Sequence, residues 1–115
     1  MEKIFEQGLL YDFYGELLTE HQRKLYEDAV YNDLSLGEIA SEEGISRQGV
    51  HDLIKRCDKA LLEYESKLHL VERFTQTKKA VEEIISLTDA ELPGEATAER
   101  MKKIRQLSKA LMEEL

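Results

Sequence analysis

The chain has one cysteine, one proline, no tryptophan and only six glycines in 115 residues, and each scarcity excludes something. A single thiol, Cys57, closes no internal disulfide, so the fold needs no oxidising compartment and suits a reducing cytosol. With proline confined to position 93, long helices meet few interruptions. No stretch alternates apolar and polar residues for long enough to build a sheet. No apolar run approaches the roughly 20 residues that cross a bilayer. The opening Met1-Glu2-Lys3-Ile4 lacks the basic and apolar segments of a secretory signal. A cytoplasmic protein without a membrane span is expected.

What is present is 42% apolar and 35% charged residues, enough for a small core under a soluble surface. The length gives room for one domain with an extension, read here as a domain over residues 1–60 and a helical extension over 61–115. The net charge of −8 argues against a bulk nucleic-acid coat, but it is unevenly spread. Residues 1–45 carry −8 and residues 60–92 carry −3, whereas residues 46–59 carry +2 and residues 93–115 carry +1. Phosphate neutralisation supplies most non-specific affinity, so binding through the positive segments should be modest and salt-sensitive.

Apolar spacing divides the chain into helices. Phe5, Leu9, Leu10, Phe13, Leu17 and Leu18 recur at three- and four-residue intervals and predict a first amphipathic helix. Thr19 with Gln22, and Ser35 with Glu38, have capping-box spacing, and Ser46 is placed to cap a further helix. From Ser46 to Pro93-Gly94 no residue breaks helix. Ile54, Cys57, Leu61, Tyr64, Leu68 and Val71 form a heptad seam that Phe74 prolongs. This spacing predicts one long helix with a kink near Thr75 to Thr77. The seam can serve as intramolecular core, as half of a homodimer interface, or as both. Met101, Ile104, Ser108, Leu111 and Leu115 mark a last helix. Its Lys102, Lys103, Arg105 and Lys109 are either a solvated face or a contact for RNA or an acidic protein.

Residues 35 to 56 carry the clearest pattern, a short helix, a three-residue turn and a second helix. Ile39 and Ala40 face inward, and Ala40 is small where two steeply crossing helices touch. Gly44 supplies the positive φ of the turn. Ile45 plugs it, and Val50, Leu53 and Ile54 line the inside of the second helix. That leaves Arg47, Gln48, His51, Asp52, Lys55 and Arg56 facing outward. In a helix-turn-helix the second helix reads nucleic acid, and its N-terminal residues touch bases. Arg47, Gln48 and His51 are therefore candidates for base contact, with Lys55, Arg56 and Lys59 for the backbone. Asp52, in mid-face, counts against strong phosphate binding.

No catalytic constellation accompanies this motif. His21, His51 and His69 fall on separate segments, and Cys57 lies in the apolar seam, so no metal spacing arises. Glu42-Glu43 and Glu82-Glu83 are neighbours that point to different faces. There is no phosphate loop or nucleophile elbow. A binding protein without cofactor or metal is expected, not an enzyme.

Leu18-Thr19-x-x-Gln22-Arg23, then Leu34-Ser35-x-x-Glu38-Ile39-Ala40 and Ile45-Ser46-x-x-x-Val50, resemble region 4 of the sigma-70 family over residues 17 to 61. Further residues are more particular. Leu10-Tyr11-Asp12-Phe13-Tyr14 leads into Leu17-Leu18-Thr19. Ser46-Arg47-Gln48-Gly49-Val50-His51-Asp52 is followed by Leu61-Leu62-Glu63-Tyr64-Glu65-Ser66-Lys67-Leu68. Together, from Leu10 to Phe74, they resemble the YlxM family of small helix-turn-helix proteins. That resemblance implies an all-helical dimer and a regulator or accessory factor of the signal recognition particle, with the particle's GTPase or RNA as partner. It brings no residue-level active site. One position departs from the motif: Glu43 stands where an apolar residue usually precedes the turn glycine. Its side chain either swings into solvent or loosens the packing of the two helices.

Overall fold

The computed structural model describes residues 3–88 and 97–114. Among them the chain is all-α, with no strand. Its helices are α1 (Lys3–Tyr14), α2 (Glu20–Val30), α3 (Leu36–Glu43), α4 (Arg47–Leu68), α5 (Leu70–Leu87) and α6 (Thr97–Glu114), with a short 3₁₀ turn at Gly15–Leu17. The chain divides into two compact units, Met1–Val71 and Glu72–Leu115. Pro93-Gly94 and Leu115 lie outside the described residues.

The three expected N-caps are formed. The Thr19 hydroxyl accepts from the Gln22 N–H at 3.2 Å, and the Gln22 side chain accepts the Thr19 N–H at 2.9 Å. Ser35 and Glu38 exchange the same pair of bonds at 3.1 Å each. The Ser46 hydroxyl accepts from the Gly49 N–H at 3.0 Å and opens α4. Each bond satisfies an N–H that the first helical turn would leave unpaired. Gly44, at φ +68°, ends α3 in the left-handed region. The carbonyl of Ala40 accepts from the N–H groups of both Gly44 and Ile45. Ile45 is less of a plug than expected: it stays 41% exposed, its side chain lying beside Gly49 at the edge of the turn.

Two apolar clusters hold the first unit together, with the half-buried Ile54 packed against both. Leu25, Ile39, Ala40 and Val50 form the centre of the helix-turn-helix. Leu10, Tyr14, Leu18, Tyr26, Cys57 and Leu61 join α1 and α2 to the middle of α4. The seam read from the sequence is thus intramolecular core through Tyr64, while Leu68 is 48% exposed. In α1 the inward residues are Leu10 and Tyr14, not Phe13 and Leu17, which stay exposed. The helix ends at Tyr14, and the 3₁₀ turn that follows rotates Leu18 inward.

The expected helix through Phe74 breaks earlier, at His69. This residue takes φ +56°, in the left-handed region, and α5 then runs without interruption through Thr75 to Thr77. Histidine adopts that conformation more readily than most residues, and the first N–H groups of α5 find partners there. The Tyr14 hydroxyl accepts from the Leu70 N–H at 3.0 Å, and the Glu65 carboxylate accepts from the Val71 N–H at 3.0 Å. Tyr14 in turn donates to Glu65 at 2.5 Å. One buried tyrosine therefore ties the end of α1 to α4 and caps the start of α5.

The same pairing recurs between other helices. Tyr26 of α2 donates to Asp58 of α4, which also accepts from Gln7 of α1. Tyr11 of α1 donates to Glu27 of α2, and Tyr31, at the end of α2, reaches Asp12 of α1. The rings of Tyr11 and Tyr26 stack with centroids 5.5 Å apart. Burial, then the acceptor carboxylate, pushes the pKa of each of these tyrosines up, to about 12 for Tyr11 and Tyr31. Tyr14 and Tyr26 are raised for the same two reasons. In the second unit, Lys103 of α6 pairs with Glu83 of α5 at 3.8 Å. Neither helix has a fully buried residue.

Two outcomes follow from these features. The tyrosines hold their protons more tightly folded than unfolded, so their stabilisation is complete below the unfolded pKa of 10.0. It is lost as pH rises from there through about 12. Tyrosinate absorbance of the buried rings should appear together with loss of helical circular dichroism, and ionisation at full helicity would contradict the pairing. Gly44→Ala should cost about 1–2 kcal/mol in urea denaturation, the price of a left-handed alanine, because a methyl group there meets no atom within 4 Å.

Candidate nucleic-acid interface

Because Val50, Cys57 and Leu61 fill the interior and Leu53 and Ile54 line its edge, the opposite side of α4 is left to solvent. All five candidate residues, Arg47, Gln48, His51, Lys55 and Arg56, are exposed. Four of them share a face. At 3.6 residues per turn, His51, Lys55 and Gln48 fall within about 100° of Arg47, whereas Arg56 lies about 180° away. The structure therefore does not bring Arg56 to the surface that Arg47 begins, while Lys59 does fall beside Gln48.

Arg47 is the first residue of α4, directly after the Ser46 cap. Its guanidinium lies across the start of α3, with Nε 3.7 Å from where a Cβ on Gly37 would sit. Arg47 thus spans the N-terminal ends of both helices of the motif. Sequence reading gave Gly37 no role. The available signal was a glycine inside the Ser35–Glu38 capping box, a helical position that glycine weakens.

Asp52 borders the face. Its carboxylate accepts from the Gln48 side chain at 3.0 Å and stands 3.6 Å from the Nδ1 of His51. Two of the three base-reading candidates are therefore already oriented toward one acceptor. All three groups are exposed, so the Gln48–Asp52 bond can be exchanged for a bond to a ligand at little cost. The buried Cys57 thiol lies on the inner side of the helix, its pKa pushed up by burial first and by Asp58 second, which keeps it protonated.

Glu43 follows neither course expected of it. Its side chain is 18% exposed and pairs with two residues of α2, His21 at 3.2 Å and Lys24 at 3.8 Å. These pairs tie the end of α3 to α2, so α3 and α4 keep a close crossing despite the charge. Among the described residues no group of three or more His, Cys, Asp or Glu is placed to hold a metal ion. No described helix is long and apolar enough to cross a membrane.

The comparisons with known proteins agree with this architecture. Residues 1–107 match the family described as "Putative helix-turn-helix protein, YlxM / p13 like". The chain is 42% identical to the UPF0122 protein of Desulforamulus reducens, over 98% of this chain and 96% of that one. It is 44% identical to the UPF0122 protein of Clostridium kluyveri, over 91% of this chain and 94% of the relative. For the UPF0122 protein of Bacillus licheniformis the identity is 39%, over 90% and 97%. With a helix-turn-helix built as described and a family match over nearly its whole length, the chain belongs to the YlxM/p13-like family of helix-turn-helix proteins.

Proposed function

We propose that this protein is a cytoplasmic nucleic-acid-binding regulator, not an enzyme. Its α4 enters the major groove of duplex DNA in the manner of sigma-70 region 4. Arg47, Gln48 and His51 read base edges, and Lys55 with Lys59 holds phosphates; Arg56 reaches the backbone from the flank. The observation that carries this reading is the exposed Arg47, Gln48 and His51 at the N-terminal end of α4, within a formed helix-turn-helix. Arg and Gln are side chains that make paired hydrogen bonds to guanine and adenine edges. The +2 charge of residues 46–59, set in a chain of −8, supports the same face.

The protein acts as a homodimer in the signal recognition particle pathway. The pathway follows from the resemblance to the YlxM family. Dimerisation is supported by Phe74, Val81, Ile85, Met101 and Met112, exposed apolar residues on α5 and α6. A second reading is favoured by Asp52, whose charge borders the reading face and holds Gln48. There the motif is a surface for the particle's GTPase or RNA and does not bind DNA.

Fluorescence anisotropy with duplex DNA from the gene's own upstream region separates the two. Binding that persists near physiological salt and prefers this duplex to a scrambled one supports the regulator. Binding that vanishes with salt, with capture of the particle's RNA or GTPase retained, supports the second reading. Under the first, Arg47→Ala with Gln48→Ala should abolish the preference, each paired contact being worth about 1–3 kcal/mol. Asp52→Asn should tighten binding to both duplexes, since it removes a negative charge and loosens the hold on Gln48 and His51. Unchanged binding by either variant counts against the assigned face.

A further inference from the structure

Beside the outer face of α4, the first turns of α1 leave a groove of about 530 Å³. Lys3, Gln7 and Leu10 line one wall, and Lys55, Lys59 and Leu62 the other. The groove also receives three carboxylates, Glu6, Asp58 and Glu63. Asp58 is committed to Tyr26 and Gln7. Among the described residues neither Lys3 nor Lys55 has an ion-pair partner. Both line the same groove, and the neighbouring Lys3 charge lowers the Lys55 pKa from its ordinary value, against the opposing effect of Asp58. Two cations without ion-pair partners, brought to one groove by separate helices, are complementary to an oxyanion that accepts from both.

Position selects the anion. Lys55 lies eight residues beyond Arg47, about 12 Å along α4, farther than the roughly 8.5 Å depth of the major groove. With Arg47 and Gln48 on base edges, Lys55 and Lys3 stand at the edge of that groove, where the sugar–phosphate backbone runs. Three lysines against three carboxylates leave the groove close to neutral. It is therefore unsuited to a free, multiply charged anion. It suits a single phosphodiester delivered by a duplex already seated on α4, at the high effective concentration of a tethered group.

We infer that Lys3 and Lys55 form a clamp on one backbone phosphate of bound duplex DNA, with Lys59, one turn further along α4, reaching a second. The start of α1 is then a third element of the interface, next to α3 and α4. This rests on the nucleic-acid reading above, but it can fail separately.

The test measures affinity against salt for the upstream and scrambled duplexes, using the full chain, Lys3→Ala, Lys55→Ala and the double variant. A phosphate contact contributes about 0.9 to the slope of log affinity against log salt. The expected loss in the double variant is about 0.9, one phosphate and not two, with non-additive single variants and an unchanged preference between the duplexes. Arginine at both positions should restore the slope. Additive losses reaching about 1.8 in the double variant would mean separate phosphates and no clamp. An unchanged slope, with DNA still bound and discriminated, overturns the inference and leaves the proposed function standing. Failure of the unaltered chain to bind either duplex at any salt overturns both.

Discussion

Among the described residues, the hydrogen bond from Tyr14 to Glu65 joins three helices at once. It fastens the last turn of α1 to α4, and the same two side chains cap the first N–H groups of α5. Without these acceptors the left-handed turn at His69 would leave two amides unpaired beside a half-buried seam, a costly arrangement. The Tyr26–Asp58 bond repeats the tie between α2 and α4, and the Tyr11–Glu27 and Tyr31–Asp12 bonds tie α1 to α2. A unit of this size buries only a small apolar core. Polar pairs that demand one geometry then choose among the packings that a few leucines and tyrosines would otherwise allow. The outcome for function is positional: α4 is held along its length, so its outer face is presented as a rigid surface.

The parts of this fold legible in the sequence are those decided locally. Capping hydroxyls act three residues away, and the glycine of a left-handed turn acts on its own backbone, so Thr19, Ser35, Ser46 and Gly44 were readable as written. The inner stripe of α4 was equally clear because helical periodicity places Val50 and Leu53 without reference to distant residues. The less legible features depend on partners far along the chain. Tyr14 replaces Phe13 as the inward residue because its hydroxyl meets a carboxylate 51 positions away. The break at His69 carries no glycine or proline, and its cause is again Tyr14, from another helix. Glu43 looked out of place until His21 and Lys24 of α2 came beside it.

The candidate face shows the same division. Which residues of α4 point outward follows from periodicity, and the distance of Arg56 from Arg47 follows from that arithmetic too. What those residues do with one another does not. The placement of Arg47 over Gly37 and the approach of Lys55 to Lys3 arise only when α3 and α1 are set beside α4, whereas Asp52 holds Gln48 from four residues along the same helix. The Gln48–Asp52 bond also bears on how such a face would discriminate. A ligand there exchanges existing hydrogen bonds for new ones, so a poorly matched sequence gains almost nothing while a matched one gains the difference.

The absence of any fully buried side chain in α5 and α6 gives the molecule a stepped stability. Helices of 18 residues are only slightly longer than the shortest that persist alone in water, and most helical stability in proteins comes from packing. Backbone amides of α2 to α4, lying over the two buried clusters, exchange with solvent only when the first unit opens as a whole. Those of α5 beyond Val71 and of α6 are reached by smaller, independent openings. Association that covers these two helices would slow their exchange without altering that of the outer face of α4. Hydrogen exchange in this chain would therefore separate the part that is rigid by itself from the part that only company would make rigid.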